Sequence, residues 1–474
     1  MRPVAPTRFR PREAPAPRTA AAPATPRRGL FGRLAAAFYP DAPRRPVTVR
    51  DAAVAAALVV AGMAASLSRT GGAGALNSTW IEDAKRFLSG ALTQRFPQPV
   101  FTPFNGYLHV GPRLLTEVAV LFPVRWAAPV QTLLAVGMLA VFASVAYLGS
   151  GAFLDRWWQR LVVAAPVLMV PVGHTQADND VATLQFPSLY ALFWLLLWRP
   201  ASRLAKVVAV LLAVYITSSS ILALILLPVL LLRLFAVRDW TTRAVALGYA
   251  AGAALQLGFQ FTGAASRDGV GHPTSNLSWL LHGYATRALP RAVLGEVWLG
   301  GPGTDYKGDP APLHTPNHLL HDGLIVLAWL VVAAAAGCAL LGLTRPHWPL
   351  AVLAGGTSVV LFVVQVANMG TVQPRYVIAP ALLIYVMLAA LLRPRRGSGA
   401  GLRRQLRAAP LLAVAVLLAV ACAANWRVDN GRARSLPWDQ IVARGRQQCA
   451  TQHLATYRYM YTWWFVDIPC DRLR

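Results

Sequence analysis

The chain has 474 residues and a formal net charge of +26, yet only 14% of its residues are charged and 56% are hydrophobic. An ordinary soluble protein carries about 25% charged residues, so this composition excludes that class. The apolar residues come in blocks and the cations cluster between them, which is typical of membrane topology and not of nucleic-acid binding. We therefore expect an all-α polytopic membrane protein whose partners include membrane lipids and no nucleic acid.

Residues 1–50 consist largely of proline, alanine and arginine, with almost no apolar clustering. Such a segment buries too little surface to offset its ordering entropy, so the composition predicts a disordered basic arm. Its arginines favour the cytoplasmic side of the membrane.

Residues 51–424 contain eleven apolar blocks, each near the length that crosses a bilayer. If the first block leaves the cytoplasm, the runs "LDRWWQR", "RPASRLAK", "VRDWTTR" and "RPRRGSGAGLRRQLR" all face inward, as the positive-inside rule requires. This predicts a bacterial plasma-membrane protein with a cytoplasmic N-terminus and an extracytoplasmic C-terminus. It leaves open whether residues 206–235 form one span or two. The blocks are residues 52–67, 128–149, 160–172, 184–198, 206–217, 220–235, 243–262, 323–343, 348–368, 376–392 and 409–424.

The topology leaves three large outside segments, namely residues 69–127, residues 263–322 and the tail 425–474. No nucleotide-binding glycine loop or HExxH motif occurs anywhere in the chain. Any chemistry is therefore expected at the outer face or within the membrane.

The first outside loop opens with "NSTWIEDAKRFLSGALTQR", residues 77–95. Its apolar residues recur at intervals of three and four, which predicts an amphipathic helix lying flat on the outer leaflet. Thr79 and Glu82 have the spacing of a capping box, which gives Glu82 a structural role. Asp83 is then the free carboxylate, expected to face water together with Arg86.

A second amphipathic helix is predicted in "FNGYLHVGPRLLTEVAVLF". Pro112 suits the first helical position, and Leu114 to Phe122 supply an apolar face. Arg113 and Glu117 are spaced to pair on this helix. The loop therefore holds two juxtamembrane helices.

This arrangement resembles the GT-C glycosyltransferases, which are polytopic enzymes that take sugars from polyprenyl-phosphate carriers at the outer face. A carboxylate soon after the first span, two juxtamembrane helices and a proline-marked second helix carry the resemblance. "QPRYVIAPALLIYV" is similar to the R-Y-x-x-P segment that begins a late span in many of them. The likeness covers residues 50–424. The acidic pair reads Glu82–Asp83, the reverse of the usual order, and no soluble sugar-binding domain follows.

The resemblance implies an inverting transfer of a sugar, arabinofuranose or mannose, from a polyprenyl-phosphate donor to an envelope glycan, glycolipid or protein. It implies Asp83 as the base, with Glu82 as the alternative, and Arg375 as a ligand of the donor phosphate. The chemistry requires one base for the acceptor hydroxyl and cations where charge develops on the leaving phosphate.

Three further residues are candidates for the donor phosphate site, and each has a plainer interpretation. Arg113 could simply pair with Glu117. Tyr376 could be an interfacial anchor, since tyrosine favours membrane boundaries. His109 could contact the acceptor instead of a phosphate, or could be a satisfied interfacial histidine.

Two polar stretches are weaker candidates for a site. "GHTQADNDVATLQF" holds His174, Asp178 and Asp180, which could bind a divalent cation, as in some relatives, or could form a polar turn. "HTPNHLLHDG" in the large outside loop holds further candidates for donor or acceptor contact, and its histidines lack a strong zinc spacing. These candidates are His318, His321 and Asp322.

The outside tail carries two of the four cysteines, Cys449 and Cys470, together with four tryptophans. Oxidation is permitted outside the cytoplasm, so we predict a small folded cap held by a disulfide between them. Cys338 and Cys422 lie in spans and are interpreted as core residues.

Two other functions compete with glycosyl transfer. A transporter or flippase of lipid-linked sugars would keep ionisable residues in mid-membrane, where this chain has almost none. A ligase or polymerase of envelope polysaccharide would share the outside arginines but would need no base in the first loop.

Overall fold

A computed structural model of the protein describes most of the chain, and the part it describes is mostly helical. The first outside loop and the chain around residues 374–377 lie within it. The described residues are 29–40, 49–173, 176, 178–262, 273–299, 318–395, 402–427, 432–461 and 464–474.

Six helices in the described residues are long and apolar enough to cross a membrane. Several of them expose large apolar side chains around much of their surface, as a helix in contact with lipid does. The chain is therefore a multi-pass membrane protein. The six segments are Val124–Ala152, Trp240–Phe261, Leu319–Leu340, Trp348–Met369, Pro374–Leu391 and Arg407–Ala424.

Helices also cover the other predicted apolar blocks, so the eleven crossings remain a prediction. The chain is extended at Ser220, which divides residues 206–235 into two helical stretches. Proline restarts the helix at Pro166 within the third block. The shorter helices are Val49–Leu67, Trp157–Ala164, Pro166–Met169, Gln185–Leu197, Arg203–Ser219, Ile221–Leu226 and Leu227–Ala236.

The helix Ile378–Leu391 forms the centre of the bundle, and all but one of its residues are buried. It packs against Trp348–Met369, Gln185–Leu197 and Leu289–Leu294. The turn Pro374–Val377 leads directly into the N-terminus of this central helix. Further helical segments are Ala75–Asn77, Gln98–Phe101, Val124–Trp126, Ala127–Gly149, Ser150–Ala152, Ala182–Leu184, Leu277–Gly283, Tyr284–Ala288, His318–Leu340 and Leu402–Ala424.

The N-terminal arm is not disordered throughout, contrary to the prediction. Residues Leu30–Phe38 form a helix. Phe38 and Tyr39 are buried, and the Tyr39 hydroxyl donates to the Leu196 carbonyl at 2.9 Å. These two aromatic side chains give the segment enough apolar surface to pack on the bundle. Residues 1–28 and 41–48 lie outside the described part.

The first outside loop forms two helices, as predicted, but they are packed into the protein. Its first helix begins with a π-helical turn, Asp83–Leu88, and continues as Ser89–Thr93. Ala84, Phe87 and Leu88 are fully buried, so the prediction of a helix lying flat on the leaflet is wrong. We call these two segments together the first-loop helix.

The second helix of this loop, Val110–Ala119, exposes part of its predicted apolar face and packs on the protein through small residues. Leu114 and Val118 are exposed, whereas Gly111 and Thr116 are buried. Gly111 is required there because a Cβ atom would overlap the Tyr215 ring. This small-residue contact seats the helix on Arg203–Ser219 and leaves part of its apolar side facing out.

The tail is a folded cap, and it adds a β-hairpin to a fold predicted as all-α. Helix Trp438–Gln452 is followed by antiparallel strands Thr456–Tyr461 and Trp464–Pro469, with Thr456 opposite Pro469, and by Cys470–Leu473. The predicted disulfide between Cys449 and Cys470 is confirmed. The second strand packs directly on the first-loop helix.

Candidate functional site

The site forms where the first outside loop meets the turn before the central helix. Glu82 and Arg375 form an ion pair, with Oε1 and Nη1 3.0 Å apart. Both side chains are about 15% exposed, and the Oε2 atom of Glu82 has no hydrogen-bond partner among the described residues. Glu82 makes no capping bond, and the Thr79 hydroxyl donates to the Trp80 carbonyl, so the predicted capping box is absent.

Asp83 is buried, with 3% of its surface exposed, so the prediction that it faces water is wrong. Its carboxylate accepts hydrogen bonds from the backbone N–H groups of Val181 at 3.0 Å and Ala182 at 2.9 Å. These groups begin the helical stretch that continues as Gln185–Leu197, and a helix N-terminus favours negative charge. The Asp83 carboxylate therefore lies at a preorganised anion site formed by these backbone N–H groups.

Burial raises the pKa of Asp83 and of its neighbours Asp178 and Asp180. Burial, and then the charge of Asp180, raise the pKa of Asp83 well above its usual value, against the two N–H bonds. Burial likewise raises the pKa of Asp180 to about 6, although Thr183 donates to it through its hydroxyl and its N–H. A carboxylate with a raised pKa is better matched to proton abstraction near neutral pH than an exposed one.

Asp178 and Asp180 adjoin the site in the turn before Val181. Thr70 donates its hydroxyl to Asp178 at 2.8 Å, and the Asp178 N–H donates to Asp180 at 2.9 Å. No group of three or more potential metal ligands occurs in the described ranges. His174, the third candidate ligand, lies outside them, so the divalent cation stays a prediction.

His109 is held neutral beside the site. Burial, and then the charge of Arg113, lower its pKa to about 3. Its Nε2 atom lies 3.2 Å from the Phe104 carbonyl, which can only accept, so Nε2 carries the proton. The Nδ1 atom is then a buried acceptor, and it has no hydrogen-bond partner in the described part of the chain. A buried acceptor can take a hydrogen bond from a hydroxyl group but repels the oxygens of an anion.

Arg113 is buried, and among the described residues the Glu117 Oε1 atom has no hydrogen-bond partner, so the two side chains do not form the predicted pair. The Arg113 Cζ atom lies 5.0 Å from the centre of the Phe87 ring on the first-loop helix. Burial, and then the charge of Arg86, lower its pKa to about 10, while Glu117 raises it. Arg113 is therefore a buried cation beside the first-loop helix.

Tyr376 lies between Arg375 and the helix whose N-terminus binds the Asp83 carboxylate. Its ring lies 5.9 Å from that of Phe186, on the helix whose N-terminus holds Asp83. The Arg375 guanidinium lies 5.8 Å from the same tyrosine ring. Both residues of the "RY" pair therefore line the cluster, and Tyr376 is buried inside it.

The candidates of the large outside loop are not brought into this cluster by any described contact. His321 lies near the start of helix His318–Leu340, with its Nδ1 atom 3.5 Å from the Asp322 carboxylate. The side chain of His318 is outside the described part, as are residues 300–317. Their predicted role in substrate contact stays a prediction.

Arg432, in the tail, was missed by the sequence reasoning. It is buried and donates to acceptors around the Asp83 cluster. Its segment reads "NGRARS", with a second arginine two residues on, so nothing in the sequence distinguishes it from a solvated tail.

A comparison with protein-family models found no match, and a comparison with curated proteins found none either. The site must therefore be interpreted from its own chemistry. It combines a buried carboxylate on backbone donors, two arginines within the same cluster and a histidine acceptor. Such a set can abstract a proton and stabilise a leaving anion.

Proposed function

We propose that the chain is an inverting glycosyltransferase of the outer membrane face. It moves a sugar, arabinofuranose or mannose, from a polyprenyl-phosphate carrier to an envelope glycan, glycolipid or protein. The observation that carries this proposal is the buried carboxylate of Asp83 beside the ion pair of Glu82 and Arg375. A base and a phosphate ligand are the two groups that this reaction requires.

In the proposed reaction Asp83 takes the proton of the acceptor hydroxyl. The acceptor oxygen then bonds to the anomeric carbon as the bond from that carbon to the phosphate oxygen breaks. The polyprenyl phosphate leaves with the bonding electrons, and its added charge is stabilised by Arg375. Inversion follows because the acceptor attacks from the face opposite the leaving group.

Two neighbouring residues would hold the donor. Arg113, buried against Phe87, supplies a second positive charge on the side of the first-loop helix. His109 supplies an acceptor, Nδ1, for a sugar hydroxyl, which would orient the ring without opposing the phosphate. A set of acceptor and cations suits a sugar phosphate better than either a free sugar or a free phosphate.

The test is sugar transfer by the purified protein in liposomes. Polyprenyl-phosphate arabinofuranose and polyprenyl-phosphate mannose, each labelled in the sugar, are supplied with an extract of envelope lipids and glycans. We expect label in the acceptor fraction with one donor, and none with the Asp83→Asn variant.

The same assay separates the alternatives. Label that crosses the bilayer while still on its carrier would identify a flippase and overturn the proposal. Transfer of a preassembled glycan, with no transfer of single sugars, would identify a ligase or polymerase.

A further inference from the structure

One guanidinium from the tail ties together the backbone around the candidate base. The Nε atom of Arg432 donates to the Ser78 hydroxyl at 3.0 Å. Its Nη1 atom donates to the carbonyls of Asp178 at 2.8 Å and Asn179 at 2.9 Å. Its Nη2 atom donates to the carbonyls of Ala75 and Ser78 and to the Thr132 hydroxyl. The residue is 2% exposed.

These acceptors are placed so that Arg432 fixes both sides of Asp83. Ala75 and Ser78 belong to the segment that leads into the first-loop helix. Asp178 and Asn179 belong to the turn that presents the N–H groups of Val181 and Ala182 to the Asp83 carboxylate. The planar guanidinium of Arg432 therefore fixes the positions of Asp83 and of the two backbone N–H groups that donate to it.

The charge of Arg432 acts on the same group. Its positive charge lowers the pKa of Asp83, against the larger effects of burial and of Asp180. Burial lowers the pKa of Arg432 itself, while Asp178, Asp83 and Asp180 raise it, in that order. This cation therefore faces three buried carboxylates.

The rest of the tail is attached to the other end of the first-loop helix. The Asp467 N–H donates to the Ser89 hydroxyl at 2.9 Å. The Lys85 ammonium lies 5.1 Å from the centre of the Phe465 ring. The disulfide between Cys449 and Cys470 joins the tail helix to the end of the hairpin. Arg432 therefore belongs to a disulfide-linked tail that also contacts the first-loop helix, which carries Asp83.

We propose that Arg432 is a positioning residue, which holds the Asp83 carboxylate in the geometry and charge state that proton abstraction requires. This inference rests on the proposed function, since it concerns the base of that reaction. Arg432 touches no reacting atom and acts through the turn 178–182 and the segment 75–78.

Two substitutions separate the effect of the planar set of hydrogen bonds made by the Arg432 guanidinium from the effect of its charge. Arg432→Gln removes both, whereas Arg432→Lys keeps a charge but cannot donate to six acceptors in a fixed plane. We expect both to lower kcat about a hundredfold, the usual cost of a misplaced reacting group, with KM for the donor changed less than threefold. Arg458→Gln is the matched control, because Arg458 lies in the same tail and pairs with Asp467 at the surface. It should keep turnover within about twofold.

A second readout does not depend on transfer. Infrared difference spectroscopy follows the carboxyl band that disappears in Asp83→Asn. In Arg432→Gln that band should titrate about one pH unit or more higher than in the wild type, because an opposite charge has been removed. The other charged groups around the cluster are Arg69, Glu82, Asp178, Asp180 and Arg375, and they are unchanged. Arg432→Lys should shift the band less.

The outcomes separate this inference from the proposed function. An unshifted band in a folded Arg432→Gln protein, or full turnover in that variant, would overturn the positioning role. If the band shifts in Arg432→Gln but the wild-type protein transfers no sugar, the positioning role of Arg432 stands and the proposed glycosyltransferase function is wrong. If Arg432→Gln does not fold, the same two measurements on Thr132→Val, which loses one of the six acceptors, should show smaller changes in the same direction. No change in either measurement would count against the proposal.

Discussion

Glu82 and Arg375 lie 293 residues apart in the chain and form an ion pair with 3.0 Å between Oε1 and Nη1. The pair joins the first-loop helix to the turn that opens the central helix. Among the described residues Glu82 engages a single terminal nitrogen of Arg375. Under the proposed function the other guanidinium nitrogens would bind the donor phosphate in the bidentate manner that suits arginine. Glu82 then orients Arg375 in place of capping a helix.

Arg375→Ala should lose most transfer activity, on the order of a hundredfold, by analogy with removing one oxyanion donor. Turnover should fall as well as binding, because the contact strengthens while the phosphate leaves. Arg375→Lys should recover only part, since an ammonium cannot bind two phosphate oxygens in one plane. The two variants are compared at saturating donor. Complete rescue by lysine would reduce Arg375 to an interfacial anchor.

Asp83→Asn should abolish transfer and leave folding and membrane insertion intact. Asparagine keeps an oxygen for the N–H groups of Val181 and Ala182 but cannot take a proton. Glu82→Gln, the neighbouring control, should retain activity reduced by about tenfold, because it loses a charged partner of Arg375 and not the base. The transfer rates and melting temperatures of both variants, compared with the wild type, test this prediction. An active Asp83→Asn with an inactive Glu82→Gln would exchange the two roles.

In wild-type protein the activity should fall as pH drops through the raised pKa of Asp83. Only the ionised carboxylate can act as a base, and His109, with a pKa of about 3, is neutral throughout this range. The acid limb of the pH profile should therefore be unchanged in His109→Asn, which still offers an acceptor near Nδ1. His109→Phe keeps the ring packing and should lower kcat/KM about tenfold, the value of one hydrogen bond to substrate. A histidine-dependent acid limb would contradict this assignment.

Replacing both Cys449 and Cys470 by serine should destabilise the tail. The disulfide closes a loop with a sequence separation of 21, for which chain entropy gives about 3 kcal/mol. Protease cleavage within the tail should accelerate, and transfer should fall because the tail grips the first-loop helix. Cys338→Ser is the control, since Cys338 is free. Mass spectrometry of unreduced wild-type peptides checks the bond itself, and two free thiols there would contradict the structure.

Glu296 predicts how the free energy of unfolding changes with pH. It is 3% exposed, accepts the Gly173 N–H at 2.7 Å, and has a pKa raised by burial from 4.5 to about 7. The folded state therefore holds this proton more tightly than the unfolded state. The resulting stabilisation is complete below about pH 4.5 and is lost as pH rises through 7.

Glu296→Gln mimics the protonated acid and keeps the acceptor for Gly173. Its melting temperature should match the wild type near pH 4.5 and exceed it by about 2–3 °C at pH 8. Thermal unfolding of the two proteins in detergent at both pH values checks this. A lower melting temperature of the variant at pH 8 would mean that the charges of Arg291 and Arg69 outweigh burial.

The membrane helices could be predicted because bilayer thickness sets the length of an apolar segment. All eleven predicted blocks contain helix, but helices interrupted at Pro166 and Ser220 are too short for composition alone to settle the number of crossings. The hairpin was missed because a short strand pair in a tail leaves little periodic signal.

The site was predicted only in part, since it depends on contacts between distant segments. Periodicity predicted a helix around Asp83, but it could not show that backbone N–H groups 98 and 99 residues away hold the carboxylate. The likeness of "QPRY" singled out Arg375. Arg432 carried no local signal, because its six acceptors come from three separate stretches of chain.

The attachment of Arg432 also sets the order in which the protein matures. A chain grows from its N-terminus, so the apolar helices up to residue 424 are synthesised before Arg432 exists. Until then the turn 178–182 lacks its clamp, and the strand that grips Ser89 has not been made. A nascent or truncated chain that stops before Arg432 would insert into the membrane with its helices present and its base unsecured. Under the proposed function, transfer is therefore expected only after the tail has been synthesised and has folded against the first-loop helix.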